Sequence, residues 1–377
     1  MKITLVTRGI SSTKGGAERF TTSFSQKLLA HGHDLCICSG EKNNNIFNGS
    51  HFFEIKPLRF FGWLKILSFH WKTRNLLKNI KCDIVYGLCQ FFPLKVFYAG
   101  GGVHKHWMRI RYPNFFYRFL KYLLSPAHLA MVYLENHIFS NKRNNNYVIT
   151  NSKLVKKHIL EYYLFPEDRI EVIYDGVDHD LFNKEVIVHR VTMRAKYGLC
   201  KDDIVILHVS NNWDRKGVST IIKAMVNLPD KFKLVLVGKG KKRRYQKIAK
   251  ISGVNINRII FAGIASQIEC FYGMSDIFVL PTMYDPFAQV CREALACSLP
   301  VITTKENGAA EVIFDGNNGF ILEEWDDYVS LEKYLLKFED EIALKDMKVN
   351  AFDSVSECSW KKNFDEHLKL FQSILNN

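Results

Sequence analysis

The second half of the chain alternates short apolar runs with segments of helical periodicity, and this pattern limits the fold more than any other feature. The apolar runs are four to seven residues long and rich in β-branched side chains. Runs of this kind, separated by helices, are typical of parallel strands buried on both faces of a sheet. The predicted strands are Ile204–Ser210, Lys233–Val237, Ile259–Ala262, Ile277–Pro281 and Val301–Thr304, and the predicted helices cover 217–227, 241–251, 266–274 and 287–297.

The first half repeats the pattern less regularly. The predicted elements are strands at Lys2–Thr7, Asp34–Ser39, Asp83–Gly87, Val96–Ala99 and Tyr147–Thr150, with a helix over Gly16–Ala30 after a glycine-bearing loop. With 377 residues, the chain is long enough for two domains. We therefore predict an α/β fold of two Rossmann-like, doubly wound domains facing across a cleft. They would cover 1–170 and 171–358, and a last helix, 359–377, would pack back on the first. Ligands of such sheets bind beyond the carboxyl ends of the strands.

The composition excludes several protein classes. Hydrophobic residues make up 47% and charged residues 24%, as in globular proteins. No run reaches the roughly 20 apolar residues that cross a bilayer, and the N-terminus lacks the apolar core of a signal peptide. The nine cysteines show neither a disulfide framework nor a zinc-binding spacing, so a reducing cytoplasm is expected.

The net charge of +14 is unevenly placed. Residues 1–177 hold 25 Lys or Arg against 11 Asp or Glu, whereas residues 178–377 hold 27 of each. An excess of this size attracts polyanions, so we expect the first half to meet an anionic partner.

Three motifs follow predicted strands. Gly15 and Gly16 lie between the first strand and the first helix, where backbone amides and the helix N-terminus suit a phosphate. The alternative is a tight turn without a ligand. The segment is not GxGxxG, and no acidic residue ends the second strand, which lowers the expectation of a dehydrogenase. Arg215 and Lys216 follow the first strand of the second half, and adjacent cations there can grip a diphosphate.

The third motif contains two carboxylates, Asp285 and Glu293, after the strand that ends near Thr282. Asp285 precedes Pro286 at the start of a predicted helix, and Glu293 lies about two turns further along it. The two carboxylates could accept hydrogen bonds from two sets of sugar hydroxyls. The alternative is a helix cap and a solvated or salt-bridged glutamate.

In their order and spacing, these motifs resemble the retaining glycosyltransferase family 4, whose members have the two-domain GT-B fold. The matching segments are 15–19, 175–182, 215–217, 276–281, 285–302, 308–311 and 318–319. Each segment alone is a weak signal, but their order and spacing together are specific. Within the family, the sequence is most similar to the type that adds the first glucose to the lipopolysaccharide inner core.

The resemblance implies roles for most of these residues. Arg215 and Lys216 would hold the donor diphosphate, and Gly16, beside Gly15, would touch its distal phosphate. The residues implied to bind the rest of the donor are Glu293 for the ribose, Ile264 near the base, and Asp285 with the amides of Phe287, Ala288 and Gln289 for the transferred sugar. Two positions depart from the family pattern, because Asp285 replaces a glutamate and Ala288 a glycine. Both lie at the sugar pocket and leave the identity of the sugar open.

His104 is the candidate catalytic imidazole of the first domain. It follows three glycines, 100–102, after a predicted strand, where the family places a His or Asp beside the reacting sugar. It could hydrogen-bond the donor sugar or orient the acceptor hydroxyl. A surface histidine in an open loop is the alternative.

Two segments combine basic and aromatic residues. Lys56–Lys81 carries seven Lys or Arg and no acidic residue, and Lys105–Lys121 carries five and none. An apolar stripe edged by cations is typical of helices that bind an anionic membrane. We therefore predict contact with the inner face of the plasma membrane through residues near 56–81 and 105–124. Ordinary sheet-covering helices are the alternative, and a nucleic-acid partner is not expected.

The sequence thus predicts a cytoplasmic, peripheral glycosyltransferase that moves a hexose from a nucleoside-diphosphate sugar, UDP-glucose first among them, to an anionic lipid-linked glycan. No metal or other cofactor is expected, since the resemblance implies that basic side chains and helix N-termini stabilise the leaving diphosphate. Three alternatives stay open: a GDP-mannose or UDP-N-acetylhexosamine donor, a nucleotide-sugar epimerase of similar fold, and a non-catalytic glycan-binding protein.

Overall fold

The structure is a computed structural model that describes residues 1–9, 16–41, 49–140 and 146–376, and of residues 16–19 the backbone alone. The chain forms two compact units, the first comprising Met1–Tyr174 and Lys361–Asn377 and the second Asp175–Trp360. Each unit contains its own parallel sheet and its own buried core.

The first unit contains a seven-stranded sheet in the order β3-β2-β1-β4-β5-β6-β7, and all of its pairs are parallel. The strands are β1 (Lys2–Thr7), β2 (Asp34–Ser39), β3 (Ser50–Glu54), β4 (Ile84–Gly87), β5 (Val96–Tyr98), β6 (Tyr147–Thr150) and β7 (Ile170–Val172). The helices are α1 (Gly16–Ala30), α2 (Gly62–Leu77), α3 (His104–Arg111), α4 (Phe115–Leu124), α5 (Pro126–Ile138) and α6 (Lys153–Tyr162).

The last helix of the chain, α14 (Trp360–Asn376), belongs to the first unit. Its buried side chains Phe364 and Phe371 lie edge-on to Phe24 of α1. Between them, His367 is fully buried and lies within 3.0 Å of the Tyr86 hydroxyl on β4. Aromatic packing of this kind closes one face of the sheet.

The second unit contains a six-stranded parallel sheet in the order β10-β9-β8-β11-β12-β13. Its strands are β8 (Ile204–Val209), β9 (Phe232–Val237), β10 (Ile259–Gly263), β11 (Ile277–Leu280), β12 (Val301–Thr304) and β13 (Gly319–Leu322). The helices are α7 (Arg190–Lys196), α8 (Val218–Ala224), α9 (Lys242–Ser252), α10 (Glu269–Met274), α11 (Gln289–Ala296), α12 (Tyr328–Leu336) and α13 (Glu341–Asp353).

The sheet order fixes where a ligand can bind. In the second unit the chain leaves β8 toward one edge through β9 and toward the other through β11, so the order reverses beside β8. Parallel sheets bind ligands at such a switch point, beyond the carboxyl ends of the strands. The segments that follow β8 and β11 are the ones that contain Arg215, Lys216 and Asp285.

Candidate functional site

Gly217 sets the path of the loop that follows β8. Its φ is +71°, and a Cβ atom at this position would collide with the carbonyl oxygen of Pro281 at the end of β11. Glycine avoids both the strain and the collision. The loop is also held by the Met283 amide, which donates to the Arg215 carbonyl over 2.9 Å. The two segments that leave β8 and β11 are therefore fastened together.

This contact brings three predicted site residues together. Lys216 Nζ donates to Asp285 Oδ2, and Arg215 Nη2 lies 3.9 Å from the same oxygen. Lys216 and Asp285 are 8% and 9% exposed, so the pair lies at the edge of the core rather than in bulk water. Two cations converge here on one carboxylate oxygen. A second anion placed beside them would meet concentrated positive charge.

Asn307 organises the backbone beside Asp285. Its buried side-chain oxygen accepts hydrogen bonds from the amides of Ala288 and Ala309, each over 3.1 Å. Asp285 Oδ1 accepts from the Phe287 amide over 3.2 Å. The amides of Phe287 and Ala288, implied by the family resemblance to bind the sugar, thus already have partners within the chain. Sugar binding through these two amides would have to displace Asp285 and Asn307.

Glu293 lies in α11 and is 8% exposed. The hydroxyl of Tyr272 in α10 donates to Glu293 Oε2 over 2.9 Å. Burial is the main cause that raises the Tyr272 pKa well above its usual range, with the Glu293 charge next, so the phenol stays protonated. The Glu293 carboxylate is therefore held in one orientation by a permanent donor.

Two further side chains tie α11 to the first residues of the second unit. Gln289 Nε2 donates to the Gly176 carbonyl over 2.7 Å, and the buried Arg292 guanidinium donates to the Asp175 carbonyl. The same guanidinium lies 4.3 Å from the centre of the Phe287 ring. These contacts hold the predicted sugar-binding segment against Asp175 and Gly176, and the Gln289 side chain takes part in them.

Gly15, Gly16 and Ile264 are the remaining residues predicted to bind the donor. Gly16 is the first residue of α1, while Gly15 lies outside the described residues. Ile264, directly after β10, is 70% exposed, and its proposed contact with a nucleotide base stays a prediction. The proposed contacts of Gly15 and Gly16 with the donor phosphate likewise stay predictions.

In the first unit, His104 begins α3 and is partly buried. Its Nε2 lies 3.1 Å from Nδ1 of His128 in α5. Burial, and secondly the charge of His128, lowers the His104 pKa to about 4, so the imidazole is neutral near pH 7. It can therefore exchange hydrogen bonds with a sugar hydroxyl but does not offer a cation.

The two basic aromatic segments differ in burial. In α2, Ser68, Phe69, His70 and Thr73 are buried, so one face packs on the unit as an ordinary covering helix does. In α4, none of the residues is buried. Phe115, Phe116 and Leu124 are each at least 70% exposed, and Leu123 is 58% exposed. Large exposed apolar side chains on one short helix are typical of surfaces that contact a membrane or another molecule.

Sequence reasoning missed three residues that organise the site: Asn307, Tyr272 and Arg292. Asn307 adjoins Gly308 of a recognised segment, so its position gave a usable signal. Arg292 lies within the recognised segment 285–302, beside Glu293, so its position also gave a signal, whereas nothing in the spacing marks Tyr272. None of the described helices has the length and apolarity that a membrane crossing requires.

The sequence of the chain is similar to those of known glycosyltransferases. The family model described as Glycosyltransferase Family 4 matches residues 14–181, and the model described as Glycosyl transferases group 1 matches residues 190–353. The lipopolysaccharide glucosyltransferase WaaG of Escherichia coli is 22% identical over 315 residues, covering 82% of each chain. An uncharacterised glycosyltransferase of Methanocaldococcus jannaschii is 30% identical over 201 residues, and the match spans only half the length of that relative.

Solved structures show the same fold. The crystal structure of WaaG superposes with a TM-score of 0.85 at 19% identity and covers 98% of this chain and 99% of its own. Anabaena HepE in complex with UDP-glucose superposes with a TM-score of 0.73 at 20% identity, covering 99% of this chain and 100% of its own. The prediction of two Rossmann-like domains of the GT-B type is confirmed. The chain belongs to glycosyltransferase family 4.

Proposed function

We propose that the protein transfers a hexose from a nucleoside-diphosphate sugar, UDP-glucose first among the candidates, to a hydroxyl of an anionic, lipid-linked glycan such as lipopolysaccharide core. The observation that carries this proposal is the convergence of Arg215 and Lys216 on Asp285 at the carboxyl ends of β8 and β11. It gives the second unit a concentrated positive site at its switch point, where α/β sheets bind nucleotides.

In the proposed reaction, the two cations bind the diphosphate and stabilise the negative charge that builds up as it leaves the sugar. Preorganised cations of this kind contribute strongly to catalysis in a site with little water. Glu293, oriented by Tyr272, accepts hydrogen bonds from the ribose, and Asp285 from the transferred sugar. His104 is the proposed imidazole beside the reacting sugar. We propose that the reaction retains the anomeric configuration and uses these residues without a resident metal.

A panel of nucleotide sugars tests the donor. UDP-glucose, UDP-galactose, UDP-N-acetylglucosamine and GDP-mannose are compared for thermal stabilisation and for acceptor-free release of the nucleotide. A ligand at 100 times its dissociation constant adds about 2.7 kcal/mol to stability, which gives a clear shift in melting temperature. UDP-glucose is expected to give the largest shift and hydrolysis. A larger shift with GDP-mannose or UDP-N-acetylglucosamine would favour those donors instead.

The names of two relatives support a lipid-linked glycan as the acceptor. One is the Escherichia coli lipopolysaccharide glucosyltransferase, and another is a lipopolysaccharide core biosynthesis glycosyltransferase of Rhizobium meliloti, 32% identical over 131 residues. The excess of Lys and Arg in residues 1–177 suits an anionic acceptor. Incubation with UDP-[14C]glucose and a truncated lipopolysaccharide tests this. An epimerase would instead change the sugar of the donor with no acceptor present.

We propose that α4 attaches the protein to the inner face of the plasma membrane. Phe115, Phe116 and Leu124 would enter the interface, and Arg118 and Lys121 would meet anionic headgroups. Each cation near such a surface adds roughly 1 kcal/mol to binding. Co-sedimentation with vesicles of phosphatidylglycerol and phosphatidylethanolamine tests the proposal. Phe116→Ser with Leu124→Ser should abolish sedimentation, and Val191→Ser in α7, 80% exposed, is the matched control.

A further inference from the structure

A buried carboxylate lies directly behind His104. Glu135 in α5 is 1% exposed, and its Oε1 accepts a hydrogen bond from the His104 amide over 2.7 Å. Its other oxygen accepts from the Tyr163 hydroxyl over 2.9 Å. The Lys105 amide, next along the helix, favours the ionised form of this carboxylate and lowers its pKa. Helix α3 has no side-chain cap of its own at Val103, so the carboxylate from α5 takes that role.

A second residue of the same helix acts on the His104 ring. His128 lies seven residues before Glu135 in α5, which places both side chains on one helix face. The 3.1 Å contact between His104 Nε2 and His128 Nδ1 requires a proton on one of these nitrogens. In the described residues, His104 Nδ1 has no hydrogen-bond partner, so this nitrogen is available to a substrate. The histidine pair thereby decides whether that nitrogen donates or accepts.

We propose that Glu135 and His128 are positioning residues for His104. The ionised Glu135 holds the first turn of α3, and His128 fixes the orientation and tautomer of the imidazole. This inference rests on the proposed role of His104 and goes beyond it by naming the side chains that keep it in place. Neither residue touches the substrate in this proposal.

Burial and the neighbouring groups shift the pKa of Glu135 in opposite directions. Burial raises its pKa to about 7, although the amides of α3, the Tyr163 hydroxyl and the Lys105 ammonium favour the ionised form. Among the described residues, Tyr122 also interacts with the Glu135 charge. His104 contacts Glu135 through its backbone amide, and His128 lies on the same face of α5. His104 titrates near pH 4 and the His128 pKa is lowered, mainly by burial. A change in activity near pH 7 therefore points to Glu135 rather than to either histidine.

The ionised form of Glu135 lowers the stability of the folded protein, although the proposal requires this form for activity. Because the folded-state pKa is above the ordinary 4.5, the native protein binds the Glu135 proton more tightly than the unfolded chain. Its favourable contribution is complete below pH 4.5 and is lost as the pH rises through 7. At pH 8 the ionised carboxylate costs stability while it holds α3. A group kept for folding alone would not behave in this way.

Glu135→Gln is the central test, because glutamine keeps the size and can accept from the His104 amide while donating to Tyr163. We expect the melting temperature at pH 8 to stay equal or rise. Acceptor-free release of UDP from UDP-glucose should fall about fivefold in kcat, since a charged acceptor is replaced by a neutral one. The wild type should lose activity as the pH falls from 8 to 6, whereas the variant should show a flat profile.

His128 supplies a second, independent arm. His128→Ala should lower kcat for the same hydrolysis, and His128→Asn, whose side chain can still reach His104 Nε2, should restore a large part of it. Equal kcat for both His128 variants and the wild type, or an unchanged pH profile in Glu135→Gln, would overturn the positioning role.

His104→Ala distinguishes a failure of the proposed role of His104 from a failure of the positioning role of Glu135 and His128. If it keeps wild-type hydrolysis, the catalytic proposal for His104 fails and the positioning role fails with it. If only His104→Ala is impaired, the positioning role alone fails.

Discussion

Two aspartates mark the two ends of the same strand, β11, and both meet several cations. Asp276 precedes the strand, and its two oxygens receive four donors: Arg190, Arg194, Lys348 and the Val205 amide, at 2.6–3.1 Å. Asp285 follows the strand and meets Lys216 closely and Arg215 at 3.9 Å. The first cluster is complete within the chain, whereas the second is a looser set of charges.

The difference shows how one kind of interaction serves two purposes. Four donors on two oxygens occupy the Asp276 carboxylate, so the cluster fastens α7 and α13 to β11 and has no place for a ligand. At Asp285 the same residue types leave positive charge that a diphosphate can share. Cations that all donate to one carboxylate over hydrogen-bond distances therefore indicate a structural site, whereas a cation that lies farther from the carboxylate, as Arg215 does at 3.9 Å, indicates a binding site.

Asp276→Asn should give the largest effect. Removing the charge leaves the buried Arg194 without its counterion, which typically costs about 3–5 kcal/mol of unfolding free energy. Urea denaturation followed by tryptophan fluorescence measures the loss. The control is Asp230→Asn, whose side chain is 85% exposed beside Arg258 and whose pair should contribute about 1 kcal/mol or less. A loss below 1 kcal/mol for Asp276→Asn would contradict the structural role.

The same variant has a defined pH dependence. Burial raises the Asp276 pKa, but Lys348, Arg190 and Arg194 outweigh it and hold the pKa below the ordinary value of 3.8. The ionised carboxylate therefore contributes stability above pH 3.8, and this contribution is lost as the pH falls through the lowered pKa. The difference between wild type and Asp276→Asn should shrink in acid. A constant difference from pH 7 down to pH 2 would show that charge is not its cause.

In contrast to Asp276→Asn, Lys216→Ala should cause a large loss of activity. Its loss of stability should be smaller, because Arg215 still lies 3.9 Å from Asp285 and compensates part of its charge. Removing one preorganised donor to a developing negative charge lowers kcat by about 100- to 1,000-fold. Release of UDP from UDP-glucose measures the rate, and thermal unfolding measures the stability. Lys223→Ala, an exposed lysine of the adjoining α8, is the control and should keep full activity. Comparable kcat in the two variants would make the Asp285 cluster structural like the Asp276 cluster.

Asn307→Ala tests the backbone that surrounds Asp285. The change leaves the amides of Ala288 and Ala309 without an acceptor, which costs about 1–3 kcal/mol. We expect lower stability together with weaker binding of UDP-glucose by calorimetry. Asn317→Ala, an exposed asparagine of the same unit, should change neither quantity. Lost stability with unchanged affinity would separate Asn307 from the donor site.

How well a strand can be predicted from the sequence depends on its place in the sheet. The strands of the second sheet were predicted within a residue or two because buried parallel strands form continuous apolar runs, but Gly319–Leu322 was missed. In the first unit, Ser50–Glu54 and Ile170–Val172 were missed. Both are outer strands of the sheet, where burial and the apolar signal are weaker. Edge strands are thus the elements that local patterns predict least well.

The site residues, like the strands, were only partly predictable from the sequence. Arg215, Lys216 and Asp285 follow strand ends, so topology alone brings them to one edge of the sheet. Residues that act through other residues leave no such signal, because their role depends on contacts between elements distant in the chain. Glu135 reaches His104 from 31 residues away, and Tyr272 reaches Glu293 from 21. Only the folded structure reveals such pairs.

Tyr272→Phe should give the smallest effect. The change removes one hydroxyl that donates to Glu293 Oε2 and leaves the ring in place. A single hydrogen bond is worth about 1 kcal/mol, so the dissociation constant of UDP should rise roughly fivefold. Titration calorimetry measures it, with Tyr334→Phe, stacked on Phe320 in the same unit, as the control.

A double-mutant cycle with Glu293→Gln decides whether the tyrosine acts through the carboxylate. If Tyr272 only orients Glu293, its loss should matter little once Glu293 has been replaced, and the two effects should not add. Since the Tyr272 pKa lies well above its usual range, the phenol donates throughout the working pH range, and UDP affinity should show no step from its ionisation. Additive effects would mean that Tyr272 shapes the donor site independently of Glu293, by packing rather than by its hydroxyl.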